Sequence, residues 1–306
     1  MSTSIVIPTK NNIDTIDKCL SSVMPYYEDG LINEIVVVDG HSTDGTLDVV
    51  NSYPVKLVFD EGKGNPGLAY DIGWRNAQGE LILFLDSDVY IEQGFFPRAH
   101  ELISEDRVGW ISCRQKAVVS NNLTRAQDED WAWGSNILSK PSSWIQKLYN
   151  IALAGKKEAS CGGPCVIVRR ACLEEIDGHH GIDEEVIKWC SDISYSQRIA
   201  NCGWITKWWT EAPIYHHPRS TFKGYCKQMY AYGKSIAFMH LEKEFKKSYP
   251  WYNKVFSMLA RLASPVIGLY LAIRFRNPRQ LIVYPIPRYA VVAGYVAGWI
   301  RAKISS

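Results

Sequence analysis

No stretch of twenty uncharged, apolar residues occurs in this 306-residue chain. A helix needs a run of about that length to cross a bilayer, so no span stands out. The N-terminus, MSTSIVIPTK, has no basic start and no long apolar run, and predicts no export signal. The 8 cysteines (19, 113, 161, 165, 172, 190, 202 and 226) are irregularly spaced. The nearest pair, in CGGPC, lacks a second Cys or His pair at finger-like spacing, which sets a structural zinc site aside. Free thiols without a leader fit a reducing compartment. Acidic residues are absent from 251–306, which carry 8 Lys/Arg, while the rest holds 26 basic and 32 acidic side chains. A mildly acidic body with a basic, apolar tail predicts a soluble domain seated on an anionic membrane. A basic tail also suits nucleic acid, but aliphatic interleaving suits lipid better, and no nucleic-acid partner is expected.

What is present is a strong alternation. TSIVIPT (3–9), INEIVVVDG (32–40), VKLVF (55–59) and LILFL (81–85) read as buried strands. Between them, residues 13–23, 42–50 and 68–77 read as helices, the second opened by Ser, Thr and Asp. Strand–helix alternation over the first ninety residues predicts a doubly wound, mainly parallel sheet. Residues 105–160 show little pattern. The Trp-rich stretch at 128–144 reads either as rings that stack on a sugar or as a loop packed by its own tryptophans.

In doubly wound sheets, ligands bind beyond the carboxyl ends of the strands. Asp39 follows one such strand, and Asp86 and Asp88 follow another. Three carboxylates in one crevice are costly without a counter-charge. Hard oxygen donors suit Mg²⁺ or Mn²⁺, usually shared with phosphates. The plain alternative is that Asp86 and Asp88 cap the following turn.

In order along the chain, VIPTKNN (6–12), EIVVVDGHSTDGT (34–46), AQGELILFLDSD (77–88), GGPCVIVRR (162–170) and WCSDISYSQRIANCGW (189–204) resemble the motifs of glycosyltransferase family 2. That family comprises inverting nucleotide-sugar transferases of the GT-A fold, a Rossmann-like mixed α/β sheet. The resemblance spans roughly residues 3–235. It implies that Asp39 accepts a hydrogen bond from the nucleobase and that Pro8, Thr9 and Asn11 pass close to base and ribose. It further implies that Asp86 and Asp88 hold ribose and metal–diphosphate, and that Asp192 is the general base. Asp192 also reads as an N-cap of the helix ISYSQRIANCG. One of His216 or His217 reaches the metal on this reading; adjacent residues of a strand face opposite ways, so at most one ligates. Arg219 is a diphosphate candidate, with Lys223. Gln228 and Tyr232 in QMYAY are similar to an acceptor-end motif of processive synthases, although Ala231 stands where that motif has arginine. Two further departures stand out. Ser191 precedes the base where an acid is common, and Tyr70 replaces an arginine that helps bind diphosphate, leaving Lys63 or Arg75 to supply the charge.

With Arg261, Arg274, Arg288, Pro285 and Pro287 interrupting longer readings, the runs 262–273 and 289–300 are uncharged and 12 residues each. They are expected as membrane-embedded or interfacial helices of a C-terminal segment, 236–306, after a catalytic domain, 1–235. The expected activity is transfer from a UDP- or GDP-sugar to a lipid-linked or saccharide acceptor at the cytoplasmic face of a membrane. Polyprenyl phosphate is the alternative acceptor, and a non-catalytic nucleotide-sugar scaffold the alternative class. A nucleotidyltransferase is set aside because IPTKNNIDT, after the first strand, has no glycine to wrap a phosphate.

Overall fold

The computed structural model describes residues 1–60, 65–139, 162–242, 245 and 251–305. The chain divides into two compact units, Met1–Gln115 with Glu158–His216, and Lys116–Lys157 with His217–Ser306.

The first unit is built on a seven-stranded sheet. In chain order its elements begin β1 (Thr3–Thr9), α1 (Ile16–Glu28), β2 (Glu34–Asp39), α2 (Thr46–Val50), β3 (Lys56–Phe59), α3 (Pro66–Asn76) and β4 (Leu81–Leu85). A short β5 (Val89–Ile91), α4 (Phe95–Ser104) and β6 (Val108–Cys113) follow. After β7 (Lys116–Ala117) and α5 (Asn122–Ser139) of the second unit come β8 (Cys165–Arg169), α6 (Arg170–Glu175), α7 (Glu184–Asn201), β9 (Ile205–Trp209) and β10 (Ile214–His216). The strand order is β3-β2-β1-β4-β8-β6-β9. Strands β3, β2, β1 and β4 run parallel, and β8 lies antiparallel between β4 and β6. The sheet is therefore mixed α/β, with the parallel half on the alternating N-terminal sequence.

Successive side chains on a strand face opposite ways, and the cores obey that period. Ile5, Ile7, Ile35 and Val37 join one cluster with α1 and α4. Val6, Val36 and Val38 join another with α3, α6 and α7. Both sheet faces are covered, which is why these strands read as continuous apolar runs rather than alternating ones.

The second unit is helical, with α8 (Phe222–Leu241), α9 (Trp251–Leu262), α10 (Ser264–Arg274), α11 (Gln280–Val283) and α12 (Pro285–Ser305) following α5. Three expectations change here. The boundary expected at residue 235 falls inside α8, so that helix continues past it. The Trp-rich stretch is helix over 128–139, with the remainder outside the described residues, and Trp133 is buried edge-on against Tyr284 at 5.9 Å. Pro285 and Pro287 open α12 instead of interrupting it, because the first turn of a helix has no use for their missing N–H groups. Helices α8 and α12 pack backbone to backbone: a Cβ on Gly233 would lie 2.1 Å from the Val291 carbonyl oxygen, and one on Gly294 2.0 Å from that of Tyr230.

Arg288 is absorbed rather than presented. Its guanidinium donates to both carboxylate oxygens of Asp130, at 2.7 and 2.5 Å, and lies over the Tyr284 ring at 3.8 Å. Both partners are largely buried. Removing one member of a buried pair strands the other charge. Arg288→Ala should therefore lower stability by about 3–5 kcal/mol, read as a drop in urea midpoint. A midpoint unchanged from wild type would show that the pair is no structural anchor.

Candidate functional site

Strand order gathers the expected residues. Because β1 lies between β2 and β4 and all three run parallel, Thr9, Asp39 and Asp86 emerge at one edge. Thr9 pairs in register with Asp39, and Pro8 with Val38.

On the β2 side, a loop of residues 40–46 is built around Asp39 and Asn11. Asp39 is fully buried. One of its oxygens accepts from the Ser42 N–H at 2.7 Å, the other from the Ser42 hydroxyl at 2.6 Å. Asn11 takes a left-handed conformation (φ 53°), which asparagine tolerates better than most residues. Its N–H donates to Ser42 Oγ, and its Oδ1 accepts from the Thr43 N–H, each at 2.8 Å. In this geometry Asp39 and Asn11 hold the loop, and direct contact of Asp39 with a base requires the loop to give way. The loop presents His41 (φ 60°), stacked on exposed Phe59 at 5.5 Å.

On the β4 side, both carboxylates lie past the strand, in the turn 86–88 that leads to β5. The Asn12 amide donates to Ser87 Oγ at 2.6 Å, tying the β1 loop to this turn. Asp86 accepts a hydrogen bond from the Tyr70 phenol of α3. Burial pushes the Asp86 carboxyl up to about 7, and the charge on Asp88 adds to the rise; the Tyr70 bond and His216 oppose it. Asp88 lies 3.3 Å from His216 Nε2, on β10, which pairs antiparallel with β5. The Asp88 carboxylate and the His216 imidazole are donor types that Mg²⁺ or Mn²⁺ accepts, with Asp86 in the same turn. Among the described residues no three His, Cys, Asp or Glu side chains close a full ligand set. The set therefore fits an ion that completes its shell with phosphate oxygens and water.

Asp192 reaches the same edge through α7. That helix starts at Glu184, earlier than the sequence suggests, so Asp183 rather than Asp192 is its N-cap. A kink at Cys190 (φ −132°, ψ 24°) restarts it, leaving Asp192 in the first turn of the second segment. One Asp192 oxygen accepts from the Ile193 N–H at 2.8 Å, the other from the Gly163 N–H at 2.7 Å. A Cβ on Gly162 would sit 2.4 Å from that second oxygen, so a larger residue there would displace the Asp192 carboxylate. The next residue, Pro164, accepts from the Asp86 N–H at 2.8 Å. The Gly162–Pro164 segment thus joins Asp192 to the Asp86 turn. Burial raises the Asp192 carboxyl above its ordinary range, with the Ile193 and Gly163 N–H groups holding it back.

Tyr70 is the residue the sequence flagged only as a missing arginine. Its ring meets Phe84 edge-on at 4.8 Å, and Phe84 stacks on Tyr195 of α7 at 5.7 Å. Arg75 does not supply the lost charge: it pairs with Asp177 at 2.9 Å and Asp71 at 3.4 Å. Lys63 lies outside the described residues. His217, Arg219, Gln228 and Tyr232 belong to the second unit. His217 follows the end of β10, Arg219 is exposed before α8, and Gln228 and Tyr232 share a face of α8 four residues apart.

Poly(ribitol-phosphate) beta-N-acetylglucosaminyltransferase TarS of Staphylococcus aureus is 30% identical over 161 residues, covering 50% of this chain and 28% of that protein. Poly(ribitol-phosphate) beta-glucosyltransferase of Bacillus spizizenii is 40% identical over 97 residues, covering 30% of this chain and 15% of its own length. The chain thus spans less than a third of either relative. Among solved structures, mannosyltransferase PcManGT of Pyrobaculum calidifontis, in complex with GDP-Man and Mn²⁺, superposes with a TM-score of 0.63 at 18% identity, covering 97% of this chain and 86% of that one. That likeness shows the fold. The sequence signature described as Glycosyl transferase family 2 matches residues 4–177, and the chain belongs to that family.

Proposed function

We propose that the chain is an inverting glycosyltransferase that moves a sugar from a UDP- or GDP-sugar to a hydroxyl of a lipid-linked saccharide at the cytoplasmic face of a membrane. The observation that carries it is the Gly162–Pro164 segment, which ties a carboxylate of raised proton affinity to a metal-suited acidic turn. The family match, and relatives named as beta-N-acetylglucosaminyl- and beta-glucosyltransferases, support transfer of a sugar.

Each residue then has a task. Asp86, fixed by Tyr70, offers its remaining lone pairs to a ribose hydroxyl. Asp88 and His216 would hold a divalent ion, His216 as the neutral imidazole, and such an ion would supply charge neutralisation for the diphosphate leaving group. Asp192 takes the proton from the acceptor hydroxyl as it attacks. Attack opposite the leaving group inverts the anomeric carbon, so one base suffices. Asp39, Asn11, Pro8 and Thr9 shape the wall for base and ribose, directly or through the 40–46 loop. Arg219, Gln228 and Tyr232 serve the diphosphate or the acceptor.

The test incubates the protein with radiolabelled UDP- and GDP-sugars and a bacterial lipid extract, with Mn²⁺ or with EDTA. Metal-dependent label in the lipid fraction supports the proposal. Label that resists mild base but not mild acid points to a lipid phosphate rather than a saccharide as the acceptor. Metal-dependent nucleotide binding without any transfer supports the scaffold reading instead.

Tyr70→Phe isolates one link. The ring and its packing survive, and only the bond to Asp86 goes. Without that bond the Asp86 carboxyl is less firmly oriented and its proton affinity rises further, so nucleoside diphosphate affinity at neutral pH should fall severalfold. Equal affinity in calorimetry would remove Tyr70 from the site.

A further inference from the structure

The second unit presents two apolar stripes to solvent. Along α9 and α10, Val255, Leu259, Leu262, Val266, Leu269 and Ile273 recur every three or four residues and are all exposed, Val266 by 69% and Ile273 by 72%. Such spacing keeps them on one side of each helix. Along α12, Ile286, Tyr289, Val296 and Ile300 repeat the pattern, ending at Ile304, 81% exposed. Side chains this apolar at this exposure mark a docking face rather than ordinary surface.

Charge names the occupant. Residues 251–306 hold eight basic side chains and no acidic one. Arg274, Arg276 and Arg279 are exposed at the end of α10 and in the turn after it, and Arg301 and Lys303 are exposed at the end of α12. A second copy docked on the same face would set arginine against arginine. An anionic bilayer accepts the apolar stripes and the basic rim together.

The packing also says how the bilayer is met. Gln280–Ile304 is long and apolar enough to span by length and composition. Yet the other side of α12 is committed to polar neighbours: Arg288 to Asp130, and Tyr295 Oη to His240 Nδ1 at 3.2 Å. A Cβ on Gly298 would lie 2.8 Å from the Lys234 carbonyl oxygen, so that part of α8 lies directly against α12. A spanning α12 would carry these groups into hydrocarbon. Helices α9 and α10, of 12 and 11 residues, are each too short to cross.

We infer that α9, α10 and α12 form an interfacial seat that lies in the headgroup region of an anionic membrane, with α12 parallel to the surface and not spanning it. The inference refines the membrane setting proposed above, and it rests on the second unit alone.

The test is cosedimentation of the full chain with phosphatidylcholine vesicles, with and without phosphatidylglycerol, followed by alkaline carbonate washing. The expected result is binding that needs phosphatidylglycerol, weakens with salt and is released by carbonate. Val266→Asp with Leu269→Asp should cut binding at least tenfold. Arg274→Gln with Arg276→Gln and Arg279→Gln should abolish the preference for phosphatidylglycerol. Thermal unfolding of each variant confirms the fold, since all five positions are exposed. Retention through carbonate overturns the in-plane seat in favour of a span. Absence of vesicle binding overturns it too; a dimer that the Val266→Asp, Leu269→Asp variant dissociates then assigns the face to a second copy. Nucleotide-induced thermal shifts, measured on the same samples, report the donor site separately, so failure here leaves that reading standing.

Discussion

Asp192→Asn should bind a nucleotide-sugar as tightly as wild type and transfer it about 10²–10⁴-fold more slowly, the usual contribution of a positioned base. The amide oxygen can still accept the Gly163 N–H, so the Gly162–Pro164 segment and the neighbouring Asp86 turn stay in place. Stability provides a control with a definite sign. A carboxyl whose proton affinity rises on folding stabilises the fold below its unfolded range and loses that contribution as pH climbs through the folded value. At neutral pH an ionised Asp192 is therefore a burden, and its removal works against the loss of the Ile193 N–H bond that the amide nitrogen cannot accept, so Asp192→Asn should unfold close to the wild-type temperature. The same elevation predicts that wild-type kcat/KM falls on acidification, because a protonated carboxyl accepts no proton. Asp86 ionises near 7 in the free protein and should add to that fall through weaker donor binding. Transfer at the wild-type rate by Asp192→Asn would assign the base elsewhere.

Asp88→Ala acts one step earlier. It removes the carboxylate 3.3 Å from His216 and leaves the imidazole as the main remaining ion donor beside Asp86. Loss of an outer partner of a metal ligand already costs about 10–100-fold in metal affinity, and loss of a ligand should exceed that. The expected result is a nucleoside diphosphate affinity that no longer responds to Mn²⁺, measured by calorimetry at matched ionic strength. The part of binding that comes from the 40–46 loop should survive. A response to Mn²⁺ equal to wild type would take Asp88 out of the ion site.

These two variants also separate what the sequence disclosed from what it withheld. Strands β1, β2 and β4 were legible because burial on both faces leaves their central residues, IVI, IVVV and LILFL, apolar, and their carboxyl ends identify the binding edge by topology alone. Asp86 and Asp88 stood out because ionised groups at the end of a buried strand need a reason, and Asp192 stood out through the family resemblance. The start of α7 was not legible: the kink at Cys190 looks from the sequence like a helix beginning, and the polar residues before it hide the earlier turns. Tyr70 was visible only as a departure, since a phenol gives no sign of which carboxylate it will meet. Gly162 is a contact made across 30 residues of chain, and nothing local announces it. Asp39 shows what a strand end withholds. Its position suggested a ligand contact, and the structure adds that Ser42 donates to both of its oxygens. The tail was read correctly as basic and apolar, but its helix lengths depend on Pro285 and Arg288, which look like breaks until α5 supplies Asp130.

The central claim is that the edge formed by β1, β2 and β4 is a metal-dependent nucleotide site. It is tested most directly by titrating the purified chain with UDP, GDP, CDP and dTDP, each with and without Mn²⁺, and following the thermal midpoint. The account predicts a stabilising shift for UDP or GDP that requires Mn²⁺ and disappears in Asp88→Ala. A shift of the same size without metal, or no shift with any of the four nucleotides, would contradict it.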